Sequence, residues 1–405
     1  MIAHLDADCF YVSAERVRHR CLTGLPVGVL GNQGACVIAK SYEMKAAGVK
    51  TGEPIWEAVV KCPDGVYIKR DFHWYEAISR RMFEVVKTRS PTIEYYSIDE
   101  FFFDAKTLAP LAKNEEDIHI AARELQEEIL DKIGVPVSIG ISRSRTLAKL
   151  ASDACKPYGC KVLINDEEID RYVESLEVTE ITGVAERSRR KLALHGITTV
   201  GDFRRADRRL IRKLLTVRGE ILWWELHGDP IDPIQTKRPM HKAVARGGSV
   251  GKSTGDPARL EGWLVRNCER LVEALVRNQY VCGRLQMALS YKQGGGASAR
   301  CSLGQQIDCS DVLLPAARQL FEQCWDEGIV VSHMHLIADK LAMFKQRQLS
   351  LFEKSSAKLD HIKADINGKI GRFAVRSGTT LQLPDIYADE TNDYDICDIH
   401  GKTCF

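Results

Sequence analysis

Apolar positions in the first 165 residues follow two periods in turn. Ile2 to Leu5, Pro26 to Leu30 and Cys36 to Ala39 are short apolar runs that predict buried strands. Tyr42 to Ala47 has a helical pattern that stops at Gly48. Tyr75, Ile78, Met82, Val85 and Val86 recur at helical spacing and predict a longer helix over 73–88. Thr92 to Tyr96 and Glu100 to Asp104 are β-rich runs meeting at Ser97-Ile98-Asp99, the pattern of an antiparallel hairpin. A predicted helix over 116–133 leads into the β-branched run Val135 to Ile141, and Ser142 is placed to cap a basic helix from Arg145. Such alternation predicts an α/β or α+β unit around a mostly buried sheet.

From about 170 to 230 the pattern turns all-helical. Residues 241–341 then read strand, helix (259–278), strand (280–291), strand (300–307), helix (312–327), strand. This β-α-β-β-α-β order predicts a second small domain, with Gly294-Gly295-Gly296 as the turn of its central hairpin. Asp229-Pro230, Asp232-Pro233 and Lys237-Arg238-Pro239 mark a linker between the two. One further helix is predicted in the tail, which ends acidic.

Composition changes this picture in three places. At 405 residues, with 44% hydrophobic and 28% charged residues, the chain can form two or three domains with real cores. The net charge of +2 hides a basic stretch: between Glu186 and Lys213 stand ten Lys or Arg against three acids. Thirteen scattered cysteines without a Cys-x-x-Cys fit reduced thiols, so the cytoplasm is the expected compartment. No apolar run approaches the roughly 18 residues of a membrane span, and no membrane partner is expected.

The candidate chemistry lies in acids at strand ends. Asp6 and Asp8 follow the first strand, and Asp99-Glu100 stand between Tyr95-Tyr96 and Phe101-Phe102-Phe103. Carboxylates in such apolar runs are costly to bury without a counter-charge. Oxygen ligands from separate strands favour magnesium, and two such ions assist phosphoryl transfer. Read alone, Asp6 or Asp8 could equally be a strand or turn cap.

Asp6-Ala7-Asp8-Cys9-Phe10-Tyr11 resembles the first motif of the Y-family, lesion-bypass DNA polymerases. Tyr96-Ser97-Ile98-Asp99-Glu100-Phe101 is similar to that family's central acidic motif. Ser138-Ile139-Gly140-Ile141-Ser142 with Thr146-Leu147-Ala148-Lys149-Leu150-Ala151-Ser152, and Lys156-Pro157 beyond, resembles the third. Within the family, residues 32–39 and the C-terminal extension look closest to the UmuC branch, the catalytic subunit of polymerase V. The resemblance implies an α+β multidomain right hand: palm over 1–165 with fingers inserted at about 20–70, helical basic thumb over 166–232, and a linker over 233–240. A β-α-β-β-α-β little finger over 241–345 and a tail over 346–405 would follow.

The same resemblance implies a DNA-directed DNA polymerase that adds deoxynucleotides to a primer 3′ end past damaged template bases, without proofreading. Asp6, Asp99, Glu100 and the Ala7 carbonyl would hold two Mg2+ ions. Phe10, Tyr11, Tyr42, Lys45 and Lys156 would meet the incoming deoxynucleoside triphosphate, with Tyr11 as the gate against ribose. Arg187, Arg189, Arg190 and Lys191 of the thumb, with Arg246 and Lys252 beyond it, would meet primer-template DNA. Ala185 departs from the family's pattern, standing where relatives have the second glycine of a Gly-x-Gly turn.

Gln348-Leu349-Ser350-Leu351-Phe352 resembles the peptide by which bacterial polymerases dock on a sliding clamp. The UmuC branch also implies a UmuD-like dimer and a RecA filament as partners. The alternatives are an enzyme of the polymerase IV type acting alone, and a non-catalytic scaffold that binds clamp and DNA. Gly247 to Thr254 imitates a nucleotide-binding P-loop but has Arg246 where that motif needs glycine, so a strand is expected there. Cys397, His400 and Cys404 have near-ligand spacing for zinc and lack a fourth partner.

Overall fold

The computed structural model describes residues 1–31, 36–108, 110–112, 114–237, 239–346, 357–370, 373–381, 383 and 386. Two units divide at residues 238–239. In the first, β1 (Ile2–Ala7) and α1 (Phe10–Arg18) precede an insertion of β2 (Val27–Leu30), β3 (Val37–Lys40), α2 (Tyr42–Ala46), α3 (Ile55–Lys61) and β4 (Val66–Lys69). Then follow α4 (Phe72–Arg89), β5 (Ile93–Tyr95), β6 (Glu100–Asp104), α5 (Ala105–Leu108), α6 (Glu115–Ile133), β7 (Val137–Ser142), α7 (Arg145–Ala154) and β8 (Cys160–Leu163). The main sheet has the order β5-β6-β1-β7-β8, and the inserted strands form their own sheet, β3-β2-β4.

β1 is central and buried along its whole length. Side chains alternate across a strand, so its two faces meet different neighbours. Ala3, Leu5 and Ala7 join the main core with Phe101, Phe103 and Ile139, whereas Ile2 packs with Phe102 and Ala148 on the face that α7 covers. Gly140 permits that covering: a Cβ there would lie 2.2 Å from the Ala148 carbonyl oxygen and from the Ser152 nitrogen. Only a residue without a side chain lets α7 lie this close to the sheet.

Ser142 does not cap α7. It ends β7, donating its hydroxyl to the Leu163 carbonyl, and Ser144 accepts from the Leu147 amide as the cap. The sheet extends one residue further than the apolar run suggested, which moves the helix start with it.

Helices α8 (Asp166–Val173), α9 (Glu186–Ala193), α10 (Val200–Arg205) and α11 (Arg208–Leu226) enclose a separate small core around Leu192, Phe203 and Ile211. Thr216 breaks α11 with φ 66° and ψ −163°. That region is open essentially to glycine alone, and a β-branched residue is strained in it.

The second unit comprises β9 (Ala243–Thr254), α12 (Pro257–Arg277), β10 (Tyr280–Tyr291), β11 (Gly296–Ile307), α13 (Ser310–Cys324), β12 (Val331–Met343) and α14 (Ala357–Ile370). Its antiparallel sheet runs β11-β10-β12-β9. Gly247 to Thr254 lies within β9, as expected of a strand, not a P-loop. Part of the tail belongs to this unit. Asp360 of α14 accepts from both the amide and hydroxyl of Ser310, and Ile386 is fully buried in the same core. Among the described residues no helix is long and apolar enough to cross a membrane, and the eleven described cysteines are all free.

Thr216→Gly should relieve the break in α11 and stabilise the protein by about 1 kcal/mol. A higher urea midpoint at unchanged m-value is the expected result.

Candidate active site

β1 ends beside β6, with Asp6 opposite Glu100 and also opposite Ser138 of β7. Asp99 precedes β6, and its carbonyl accepts from the Ala7 amide at 2.9 Å, tying the two acidic segments together. Three carboxylates are thereby brought to one end of the sheet. Burial, with Glu100 and Asp99 close by, pushes Asp6 up to about 7 against the pull of Lys156. Burial also raises Asp99, Glu100 adds to it, and a hydrogen bond from the Ser97 hydroxyl opposes it.

Two lysines balance this charge. Lys156 lies 2.8 Å from Asp6 and 2.7 Å from Asp153, while Lys149 of α7 is paired with Glu100. Burial works against both ammonium groups, yet their carboxylate partners outweigh it and hold both above the usual lysine range. The arrangement is a desolvated oxygen-donor set with lysines in the place of cations, and it fits hard divalent ions. Lys149 also borders a cleft of about 440 Å³ lined by Tyr96, Phe102, Arg145, Gly183 and Arg218.

Asp8 serves a different purpose from Asp6. It is 2% exposed and accepts from the Ser138 hydroxyl at 3.0 Å, the Tyr158 amide at 2.8 Å and the Tyr42 hydroxyl at 3.3 Å. It is therefore the joint between the β1 end, β7, the turn after α7 and the inserted α2. Lys45 is exposed one helical turn beyond Tyr42. Tyr11 is half-buried and stacks on Tyr75 at 4.6 Å between ring centroids. Phe10, expected at the nucleotide, is only 4% exposed and belongs to the hydrophobic core, so its side chain supports Tyr11 and Tyr75 from below.

The basic candidates stand on other elements. Arg187 and Lys191 are exposed on α9, and Arg189 and Arg190 there both pair with Glu186. Ala185 stands at φ −84°, a conformation open to any L-residue, so the missing glycine costs the backbone nothing. Lys252 is exposed and Arg246 half-buried on β9, which belongs to the second unit. Gln348, Leu349, Leu351 and Phe352 lie outside the described residues, as do Cys397, His400 and Cys404.

Two participants, Lys149 and Ser138, stand in the third motif without a role assigned to either. A lysine at position 149 in a helix reads as a solvated charge, and Ser138 reads as an ordinary strand residue. Period-2 alternation from Asp6 would have pointed to His4, which shares its face of β1.

Residues 5–153 match the impB/mucB/samB family, and residues 241–351 match the C-terminal domain of that family. DNA polymerase IV of Oceanobacillus iheyensis is 31% identical over 89% of this chain and 88% of its own. DNA polymerase IV 1 of Bacillus subtilis is 28% identical over 94% of this chain and 93% of its own. Among solved structures, a Y-family DNA polymerase chimera of Dbh and Dpo4 superposes with a TM-score of 0.72 at 23% identity, covering 84% of this chain and 99% of its own. DinB from Sulfolobus solfataricus gives 0.56 at 23% identity, covering 84% and 98%. The Oceanobacillus and Bacillus relatives carry the name polymerase IV, and the UmuC resemblance drawn from residues 32–39 and the tail gains nothing from them.

Asp8→Ala would leave the Tyr158 amide and the Ser138 hydroxyl without their buried acceptor. A loss of about 2–3 kcal/mol is expected, read as a lower urea midpoint. Asn at position 8 should recover part of it.

Proposed function

The chain belongs to the Y family of DNA polymerases, and from that premise we propose a translesion enzyme of the polymerase IV type that acts without a UmuD-like dimer or RecA filament. It is a DNA-directed DNA polymerase with the α+β right hand and C-terminal sheet domain of that family. The observation that carries the mechanism is the convergence of Asp6, Asp99 and Glu100 at one sheet end, where Lys156 pairs with Asp6 and Lys149 with Glu100. The polymerase IV names of two relatives matched along nearly their whole length support the stand-alone reading.

Asp6, Asp99, Glu100 and the Ala7 carbonyl would hold two Mg2+ ions. Bound there, the ions would supply charge neutralisation of the phosphates and ease ionisation of the primer 3′ hydroxyl. The rest is the work of the chain. Desolvation strengthens each charge interaction at the site, and the strand register fixes the carboxylates before substrate arrives. Asp8 holds Tyr42 through its hydroxyl, so α2 presents Lys45 on a fixed helix to the triphosphate. Lys156, paired with Asp6 in the cation-free chain, would exchange that partner for an oxygen of the triphosphate. The Tyr11 ring, braced on Tyr75, would stand against a ribose 2′ hydroxyl. Arg187, Lys191 and Lys252 would follow the DNA backbone through charge alone.

The Gln348-to-Phe352 peptide would tether this enzyme to a sliding clamp and raise its local concentration at the primer end. Replacing Leu351 and Phe352 by alanine should remove stimulation by the clamp and leave basal extension intact.

Primer extension across one abasic site, with no accessory protein, tests the central reading. Wild type should add nucleotides opposite or beyond the lesion, and Asp99→Ala should lose at least about 10³-fold in rate while retaining DNA affinity. Activity that appears only with UmuD-like protein and RecA filament would restore the UmuC reading. Residual normal activity in Asp99→Ala would remove the metal assignment. Tyr11→Ala should incorporate ribonucleotides readily, and unchanged sugar discrimination would leave Tyr11 a packing residue.

A further inference from the structure

Tyr11 and Glu15 stand one helical turn apart on α1, on the same side of the helix. Both address one residue of α4, the fully buried Tyr75. The Tyr11 ring lies on the Tyr75 ring at 4.6 Å between centroids and 19° between planes. The Tyr75 hydroxyl donates to Glu15 Oε1 at 2.7 Å. Tyr75 is therefore held on its face and at its tip by the same helix.

Glu15 is itself held in place. It is fully buried, and the Arg18 guanidinium meets both of its oxygens, at 2.8 and 2.9 Å. This fork orients the carboxylate and meets its charge. Arg18 also pairs with Asp71 at 2.8 Å, and Asp71 accepts from the Trp74 amide at the start of α4. A buried ion pair is often no more stabilising than apolar side chains of similar volume. What this one supplies is a set position for the Tyr75 oxygen.

That position matters beneath a ring that must exclude a substituent. Stacked aromatic faces attract without fixing where one ring lies along the other. Phe72 closes the group edge-on, 5.7 Å from Tyr11 and 6.1 Å from Tyr75. The hydrogen bond to Glu15 is directional and resists sliding in the ring plane, which these ring contacts do not. A shift of about 1 Å in a positioned group can change a rate a hundredfold, and a gate free to shift that far would admit a ribose hydroxyl.

We propose that Glu15 is a positioning residue for sugar selection: through the Tyr75 hydroxyl it locks the ring on which Tyr11 leans, so that Tyr11 cannot yield to a ribose 2′ hydroxyl. The inference rests on the reading of Tyr11 as the gate against ribose and goes beyond it, because it places part of the selectivity in a buried ion pair one turn further along α1.

The test is single-nucleotide addition by the full chain on primer-template DNA, with kcat/KM measured for a deoxynucleotide and the matching ribonucleotide. Tyr75→Phe keeps the ring and removes only the hydroxyl, and Glu15→Ala removes its acceptor while Arg18 keeps Asp71. Each should raise ribonucleotide kcat/KM and lower the preference for the deoxynucleotide about tenfold, whereas a purely structural defect would lower both rates together. Glu15→Gln, whose amide oxygen can accept the same bond, should recover part of the preference. In the Tyr75→Phe background Glu15→Ala should add nothing further. Tyr75→Phe decides the matter by itself where Glu15→Ala does not fold. If Tyr11→Ala admits ribonucleotides while Tyr75→Phe or a folded Glu15→Ala keeps the wild-type preference, the role of Glu15 is overturned and the gate stands. Unchanged discrimination in Tyr11→Ala would overturn the gate and this inference with it.

Discussion

Three carboxylates share one desolvated sheet end, and much of the first unit is arranged around the cost of that crowding. Burial raises a carboxyl's pKa and like charges close by add to it, which is why Asp6 is pushed up to about 7 against the pull of Lys156. In the cation-free chain Lys149 and Lys156 offset part of this cost. A site built in this way favours any small cation that can take the place of the lysines. Function and stability therefore pull in opposite directions at Asp6, Asp99 and Glu100.

The fold supplies the counter-charges through two close approaches. Gly140 lets α7 lie directly on β7, which brings Lys149 and Ser152 over the β1 face that carries His4 and Asp6. Asp8, one strand position out of phase with that face, instead gathers Ser138, Tyr158 and Tyr42. One short acidic motif thus yields two different environments: Asp6 is balanced by the Lys156 ammonium, and Asp8 has its hydrogen bonds satisfied by the chain. A second clasp lies nearby, where Arg145 stacks 4.2 Å from the Phe102 ring and pairs with Glu94, which also accepts from the Gln235 amide. It holds the segment after α11 to the edge of the main sheet.

The acids were legible in the sequence because charged residues inside Tyr-Tyr and Phe-Phe-Phe runs contradict their surroundings. The second unit was legible because its two faces differ so strongly in polarity; the expected strand over 280–291 is β10 as observed. What could not be read was partnership across the sheet. Lys149 and Ser152 show only helical spacing, and their approach to Glu100 and His4 depends on Gly140, a contact made between segments far apart in the chain. Phe10 was placed at the nucleotide by the resemblance of the Asp6-to-Tyr11 motif, and its side chain lies in the core while the next residue, Tyr11, is half-buried. The UmuC assignment leaned on residues 32–39 and the C-terminal extension, and relatives matched over nearly the whole chain, which carry the name polymerase IV, do not confirm it.

The most direct test of the account is the unfolding midpoint of wild type and Asp99→Asn, each with chelator and with saturating Mg2+. If the acidic centre is a strained site awaiting cations, Asp99→Asn is the more stable protein in chelator, and Mg2+ raises the wild type far more than the variant. An Asp99→Asn protein that is less stable in chelator, together with a wild type indifferent to Mg2+, would contradict it and make the three carboxylates a structural charge network.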